Sequence, residues 1–96
     1  MPGCKITSLT VKGNKKLRVK VKSMKASGLT GYKISYRAVG SSKWTTKSMA
    51  ASKNAKVLNG LKKGKKYQVR VRGYVKSGGN INYGAWSKVK TSGKIR

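Results

Sequence analysis

The sequence contains no acidic residues and no histidine. Its 96 residues include 25 Lys and Arg but no Asp, Glu or His, which gives a formal net charge of +25. A typical domain has roughly a quarter charged residues with both signs present, and the charged fraction here is an ordinary 26%. The amount of charge is therefore normal, and it is the negative sign that is missing.

These absences exclude most catalytic and metal sites. A Ser-His-Asp triad, a carboxylate pair for glycoside hydrolysis and a carboxylate cage for Ca²⁺ or Mg²⁺ all need residues that the chain does not contain. A single Cys without His cannot form a zinc site. The sequence therefore predicts a non-catalytic binding or scaffold module, with no cofactor, no metal and no small-molecule substrate.

Cysteine is scarce, and long apolar runs are absent. Cys4 is the only cysteine, so no internal disulfide can form. No apolar run approaches the roughly 20 residues of a membrane span, and Met1 leads directly into Pro2 and Gly3 without the pattern of a signal peptide.

We interpret residues 1–4 as an engineered head. Its thiol would serve for labelling or link two otherwise monomeric chains, and a natural surface cysteine is the alternative.

What is present is a two-residue alternation of apolar and charged side chains along most of the chain. Leu17, Val19 and Val21 show it most clearly, because charged residues separate them. This pattern is typical of strands in a sheet with one solvated face. Gly- and Asn-rich turn signals separate the apolar runs. We predict seven strands and no helix, at 6–12, 16–22, 31–38, 43–48, 55–59, 66–75 and 84–91, with 47–52 as a loop or weak edge strand.

Three motifs within this pattern resemble a fibronectin type III domain. The run Gly-Tyr-Lys-Ile-Ser-Tyr-Arg at 31–37 is similar to the third strand of that family, and 84–89 is similar to its seventh. The spacing of Leu61, Gly64 and Tyr67 matches the tyrosine corner, in which the Leu closes the core and the Tyr hydroxyl bonds to nearby backbone.

The resemblance implies an all-β fold, a seven-stranded antiparallel immunoglobulin-like sandwich over residues 5–92. Residues 93–96 would be a C-terminal tail, either frayed or the start of a linker. Val21 stands where the family often has Trp, which implies a lighter core.

The motifs look most like those of secreted or cell-surface bacterial proteins, so the parent family is extracellular, although the location of this chain is not predicted. An Arg-Gly-Asp adhesion loop is impossible without Asp.

The distribution of the cations favours a uniformly positive surface. Lysines occupy outward positions of nearly every predicted strand and several turns, and Lys outnumbers Arg by 20 to 5. An even coat of Lys predicts diffuse attraction to polyanions, including DNA, RNA, heparin-like glycans and anionic membrane or cell-wall surfaces. One interpretation is an engineered, supercharged scaffold. The alternative is a natural spacer or adhesion domain of a bacterial cell-surface or secreted protein.

The sequence also offers one local candidate for polyanion binding. If the third, sixth and seventh strands share a sheet, basic and aromatic side chains are interleaved on its outer face. This candidate face consists of Lys33, Arg37, Arg70, Arg72, Tyr74, Trp86, Lys88 and Lys90. Such a surface can stack nucleic-acid bases and bind phosphates. The simpler interpretation is that Trp86 and Tyr74 cover the sheet while arginine planes stack on them. Trp44 is interpreted as a packing residue of an edge strand.

Overall fold

The computed structural model describes residues 5–22, 29–50 and 52–96. These residues form eight strands: β1 (Ile6–Lys12), β2 (Lys16–Val21), β3 (Gly31–Ala38), β4 (Thr45–Ala50), β5 (Ala55–Leu58), β6 (Tyr67–Ser77), β7 (Asn80–Tyr83) and β8 (Lys90–Thr91). One sheet has the order β1-β2-β5 and the other β4-β3-β6-β7, with β8 also paired to β6, and every pairing is antiparallel. The predicted all-β sandwich is confirmed.

The core lies between the two sheets and is built from the apolar positions of the alternating runs. Leu17, Val19 and Val21 of β2 face Tyr32 and Ile34 of β3, and all five side chains are fully buried. The remaining buried apolar residues come from β4, β5, β6 and the loops: Leu29, Met49, Leu58, Leu61, Tyr67, Val69, Val71 and Ile95, together with Ile6 of β1. Along each strand, the residues that alternate with these buried positions therefore point outward and carry the charge.

The corner before β6 closes one end of the core. The Tyr67 hydroxyl accepts a hydrogen bond from the Lys62 backbone N–H at 2.8 Å, and Leu61 is buried against the core. Gly64 has φ 81°, a left-handed conformation that favours glycine. The ring of Tyr67 also packs against that of Tyr36, with centroids 6.3 Å apart.

The predicted strand at 84–91 is wrong for most of its length. Only Lys90–Thr91 is a strand, whereas Asn80–Tyr83, predicted as part of a loop, pairs with β6 across a tight turn. The backbone N–H of Ser87 donates to the Val71 carbonyl at 2.7 Å, but the Val71 N–H donates to the Ser87 hydroxyl at 3.0 Å. Because a side chain replaces the backbone acceptor there, the regular backbone hydrogen bonding to β6 is interrupted between β7 and β8.

Two other sequence-based expectations also differ from the structure. The fourth strand begins and ends two residues later than the predicted 43–48, because the regular pairing with β3 runs from Thr45 to Ala50. The last residues are not frayed: Ile95 is buried, its N–H donates to the Lys65 carbonyl, and its own carbonyl accepts from the Gly64 N–H. These contacts attach the end of the chain to the tyrosine corner.

Candidate functional site

The antiparallel register of β3 and β6 forms the outer face of the larger sheet. Lys33 lies opposite Arg72, and Arg37 lies opposite Gln68. Directly opposite residues point to the same side of a sheet, and the intervening Ile34 belongs to the core. The alternation of each strand thus places basic side chains from β3 and β6 on one solvent-facing surface.

Three arginines on this surface stack with three aromatic rings. The guanidinium carbon of Arg37 lies 4.3 Å from the ring centre of Trp44, and that of Arg70 lies 4.2 Å from the centres of both Trp44 and Trp86. The guanidinium carbon of Arg72 lies 4.3 Å from Trp86 and 4.0 Å from Tyr83. We call this alternating row the arginine–aromatic ladder: Arg37, Trp44, Arg70, Trp86, Arg72 and Tyr83.

Both faces of each indole in the ladder are covered. Trp44 lies between Arg37 and Arg70, and Trp86 lies between Arg70 and Arg72, since two guanidinium groups at these distances cannot share one face without direct contact between like charges. Each cation–π contact of this kind contributes about 0.5–2 kcal/mol. The ladder therefore resembles a closed stack more than an open platform for nucleic-acid bases.

Polar contacts fix the sheet surface beside and beneath the stack. The Arg37 Nε–H donates to Gln68 Oε1 at 2.8 Å, and the hydroxyls of Ser35 and Thr46 are 2.8 Å apart. Lys33 donates from Nζ to the Ser48 hydroxyl at 2.7 Å. The same ammonium lies 4.9 Å from the ring centre of Tyr74, whose ring is 6.3 Å from that of Tyr83 in a tilted arrangement.

The charge of the ladder has no opposing acidic side chain within the sequence. The Nε atoms of Arg70 and Arg72 are buried without a hydrogen-bond partner, and the sequence supplies no carboxylate side chain. Burial lowers the pKa of Arg70 from its ordinary value, and the neighbouring charges of Arg72 and Arg37 lower it further. Arginine stays protonated nonetheless, so the ladder is a row of three uncompensated cations.

The structure brings together most, but not all, of the residues predicted for this face. Five of them lie on it: Lys33, Arg37, Arg70, Arg72 and Tyr74. Trp86 covers this face, as in the simpler of the two sequence-based interpretations. Arginine planes stack on Trp86, whereas the cation over Tyr74 is Lys33.

Lys90 lies off this face, and Lys88 borders a groove at the edge of the sheet. Lys90 is opposite Val69, a core residue, so its register places it on the inner side of the sheet edge. Both lysines border an open groove of about 480 Å³, which is also lined by Trp86 of the ladder and by Lys5 and Ile6 at the start of β1. Cys4 lies outside the described residues.

Two rungs of the ladder, Trp44 and Tyr83, were not among the predicted site residues. Trp44 immediately precedes β4 and extends over Arg37 and Arg70 instead of packing within the strand. Tyr83 ends β7, which lies where the sequence pattern predicts a loop.

Comparison with known proteins gives a family match and several similar folds. The model of the fibronectin type III domain family matches residues 5–90. No curated protein matches the sequence at a significant level. Within the part of the chain that the structure describes, no helix is long and apolar enough to cross a membrane.

Three solved structures illustrate the similarity of fold. The fn3 domain of human contactin 1 has a TM-score of 0.81 at 13% identity, covering 100% of this chain and 79% of that one. The FN1–FN3 domains of chicken CNTN1 give 0.80 at 18% identity, covering 95% of this chain and 30% of that longer one. A structure described as a myokine gives 0.73 at 15% identity, covering 96% and 97%. At these identities the likeness concerns the fold alone.

Proposed function

This chain belongs to the fibronectin type III family, whose domains are generally non-catalytic binding and scaffold modules, and from that premise we propose that it binds polyanions through its positive surface. The observation that carries the proposal is that all 25 charged side chains are cationic. The partners are nucleic acids, heparin-like glycans and anionic membrane or cell-wall surfaces. Attraction of this kind releases counterions and carries no sequence preference.

The placement of the cations supports diffuse rather than local attraction. Arg18 and Lys20 are exposed on the outer side of the smaller sheet, and Lys76 is exposed on the larger one. The corner between β5 and β6 adds four exposed lysines: Lys62, Lys63, Lys65 and Lys66. A polyanion can therefore approach from either face and meet positive charge.

Two origins are compatible with this surface. Complete removal of acidic residues from a stable sandwich favours an engineered, supercharged scaffold, because such proteins resist aggregation and bind nucleic acids and cell surfaces without specificity. The alternative is a natural spacer or adhesion domain of a bacterial surface protein, which the motif around Trp86 favours. A parent gene with flanking domains and an equally acid-free sequence would support the natural origin.

The proposal predicts a shared dependence on salt. We expect duplex DNA, single-stranded DNA and heparin all to bind at low salt, and their affinities to fall together by about 10³–10⁵ between about 50 and 200 mM salt if 6–10 anionic groups are contacted. Fluorescence anisotropy with labelled polymers measures this directly. Absence of binding at low salt would contradict the proposal, as would one polymer that stays bound at high salt.

A pair of matched variants tests whether the attraction is diffuse. Lys20→Gln removes one exposed cation from the smaller sheet, and Lys76→Gln removes one from the larger sheet, while neither residue touches the ladder. We expect both variants to weaken binding of all three polymers slightly and equally. A loss confined to one of the two variants would place the binding on one face.

A further inference from the structure

The ladder differs from the rest of the charge coat because its cations are arginines held in a fixed row. Three of the five arginines in the chain are in it. Gln68, Arg70 and Arg72 occupy successive outward positions of β6, and Arg37 lies opposite Gln68. Outward positions of a strand repeat about every 7 Å. The three guanidinium groups thus form a row with a regular spacing along the strand.

The aromatic rings fix the orientation of these groups. A guanidinium stacked on a ring keeps its plane near that of the ring, so its N–H donors point sideways from the stack. The guanidinium of Arg70 lies between two indoles, and that of Arg72 between Trp86 and Tyr83. Binding to donors that are already ordered costs less side-chain entropy than binding to mobile lysines.

The donors available to a ligand are the terminal ones. The Nε atoms of Arg70 and Arg72 are buried, whereas both side chains are partly exposed. The Nε of Arg37 already donates to Gln68. The Nη atoms at the outer edge of the row are therefore the groups through which the uncompensated charge meets solvent. Planar guanidinium edges match oxyanions through paired N–H···O bonds.

We propose that the outer edge of the ladder binds a tetrahedral oxyanion, a sulfate or phosphate group, between the terminal nitrogens of Arg70 and those of a neighbouring arginine. The oxyanion has several acceptor oxygens, so one group can accept from two guanidinium edges at the spacing of the row. The inference deepens the proposed polyanion binding and rests on it. It assigns the sulfate or phosphate groups of a polymer to one ordered site within the diffuse coat.

The direct test is an NMR titration of the protein with inorganic phosphate and, separately, with inorganic sulfate. Sodium chloride at matched ionic strength is the reference. We expect the Arg Nε–H and Trp indole N–H signals of the ladder to shift and saturate at millimolar concentrations of either oxyanion but not with chloride. Shifts that are equal in chloride and phosphate at matched ionic strength would overturn the proposal.

Charge-conserving variants separate the ladder from the coat. Arg70→Lys keeps the charge but loses the planar, paired donors, and we expect it to weaken phosphate binding at least tenfold. Arg18→Lys makes the same change on the exposed face of the smaller sheet and should leave the binding unchanged. Arg72→Lys provides a second ladder variant if Arg70→Lys folds poorly. Equal phosphate affinity in the folded ladder variants and in Arg18→Lys would refute the assignment.

The polymer titrations distinguish failure of this inference from failure of the proposed function. If heparin and DNA bind with steep salt dependence while phosphate fails to saturate, the ordered site is refuted and the diffuse function stands. If phosphate saturates at the ladder but neither polymer binds, the polyanion function is refuted instead. A larger effect of Arg70→Lys on heparin than on DNA would assign the site to sulfate esters, and the reverse to phosphate esters.

Discussion

At about 0.02 M salt the protein should be close to unfolding, and added salt should stabilise it more than any single substitution could. Its 25 cations form about 300 pairs within a fold whose radius of gyration is 13.3 Å. Two such charges about 20 Å apart in water repel by about 0.2 kcal/mol before screening. With a Debye length near 20 Å at this salt, the folded chain loses on the order of 10 kcal/mol relative to the expanded chain.

That loss is comparable with the whole unfolding free energy of a domain, about 5–15 kcal/mol. At about 0.5 M salt the Debye length falls to about 4 Å and nearly all of the repulsion disappears. We therefore expect the melting temperature, followed by circular dichroism, to rise steeply with sodium chloride. A melting temperature that stays flat between these salt concentrations would show that repulsion is not the main cost of folding.

A charge-reduced variant provides the control for this salt effect. Replacing the four exposed lysines of the corner between β5 and β6 by Gln removes charge without removing their backbone contacts. We expect the combined variant to melt at a higher temperature than the parent at low salt and at nearly the same temperature at high salt. The residues replaced are Lys62, Lys63, Lys65 and Lys66.

The second large effect is expected from Gly31→Ala. A Cβ at this position would lie 2.5 Å from the backbone carbonyl oxygen of Met49 and 2.9 Å from the Tyr74 hydroxyl oxygen. The first contact involves the paired strand β4, which cannot move aside as a flexible side chain can. Overpacking of this kind costs about 1–3 kcal/mol and occasionally more, and we expect the upper end of that range.

Gly13→Ala is the matched control for this substitution. It adds the same methyl group where nothing lies within 4 Å. At a salt concentration that keeps the parent folded, Gly31→Ala should lower the melting temperature by about 10–25 °C, given about 4–8 °C per kcal/mol for a domain of this size. Equal melting temperatures for the two variants would mean that β3 and β4 adjust without cost.

The strands that form the core could be predicted because their two faces differ sharply. The runs in β2, β3 and β6 alternate apolar with polar or charged residues, and the boundaries of these strands agree with the prediction to within one or two residues. The segment 84–91 could not be assigned in the same way. There the Ser87 hydroxyl takes the place of a backbone acceptor, and nothing in the alternation indicates that a side chain will do so.

The same irregularity explains which site residues the sequence could identify. Arg37, Arg70 and Arg72 belong to regular strands, so their shared face follows from the register alone. Lys90 follows an interrupted segment, and its predicted face was wrong because the alternation does not continue through the interruption. Trp44 lies outside a strand, so its contact with two arginines depends on tertiary packing that a period of two does not describe.

The closed stacking of the ladder has a direct consequence for the proposed function. An aromatic ring binds a nucleic-acid base through a free face, and both faces of Trp44 and Trp86 are in contact with guanidinium groups. Under the proposed polyanion binding, the role of these aromatic residues is to hold the arginines in place. Under the proposed function the polymer therefore binds through its charged groups, and its bases find no free indole face in the ladder.

The most direct measurement compares a single-stranded oligonucleotide with an abasic strand that carries the same number of phosphates, at about 0.15 M salt. A single stacked base contributes about 1–3 kcal/mol, which is about 5-fold to 150-fold in affinity. If binding depends on charge alone, the two dissociation constants should agree within about twofold and change equally with salt. Binding of the base-containing strand that is about fivefold tighter or more, and persists as salt rises, would contradict the account.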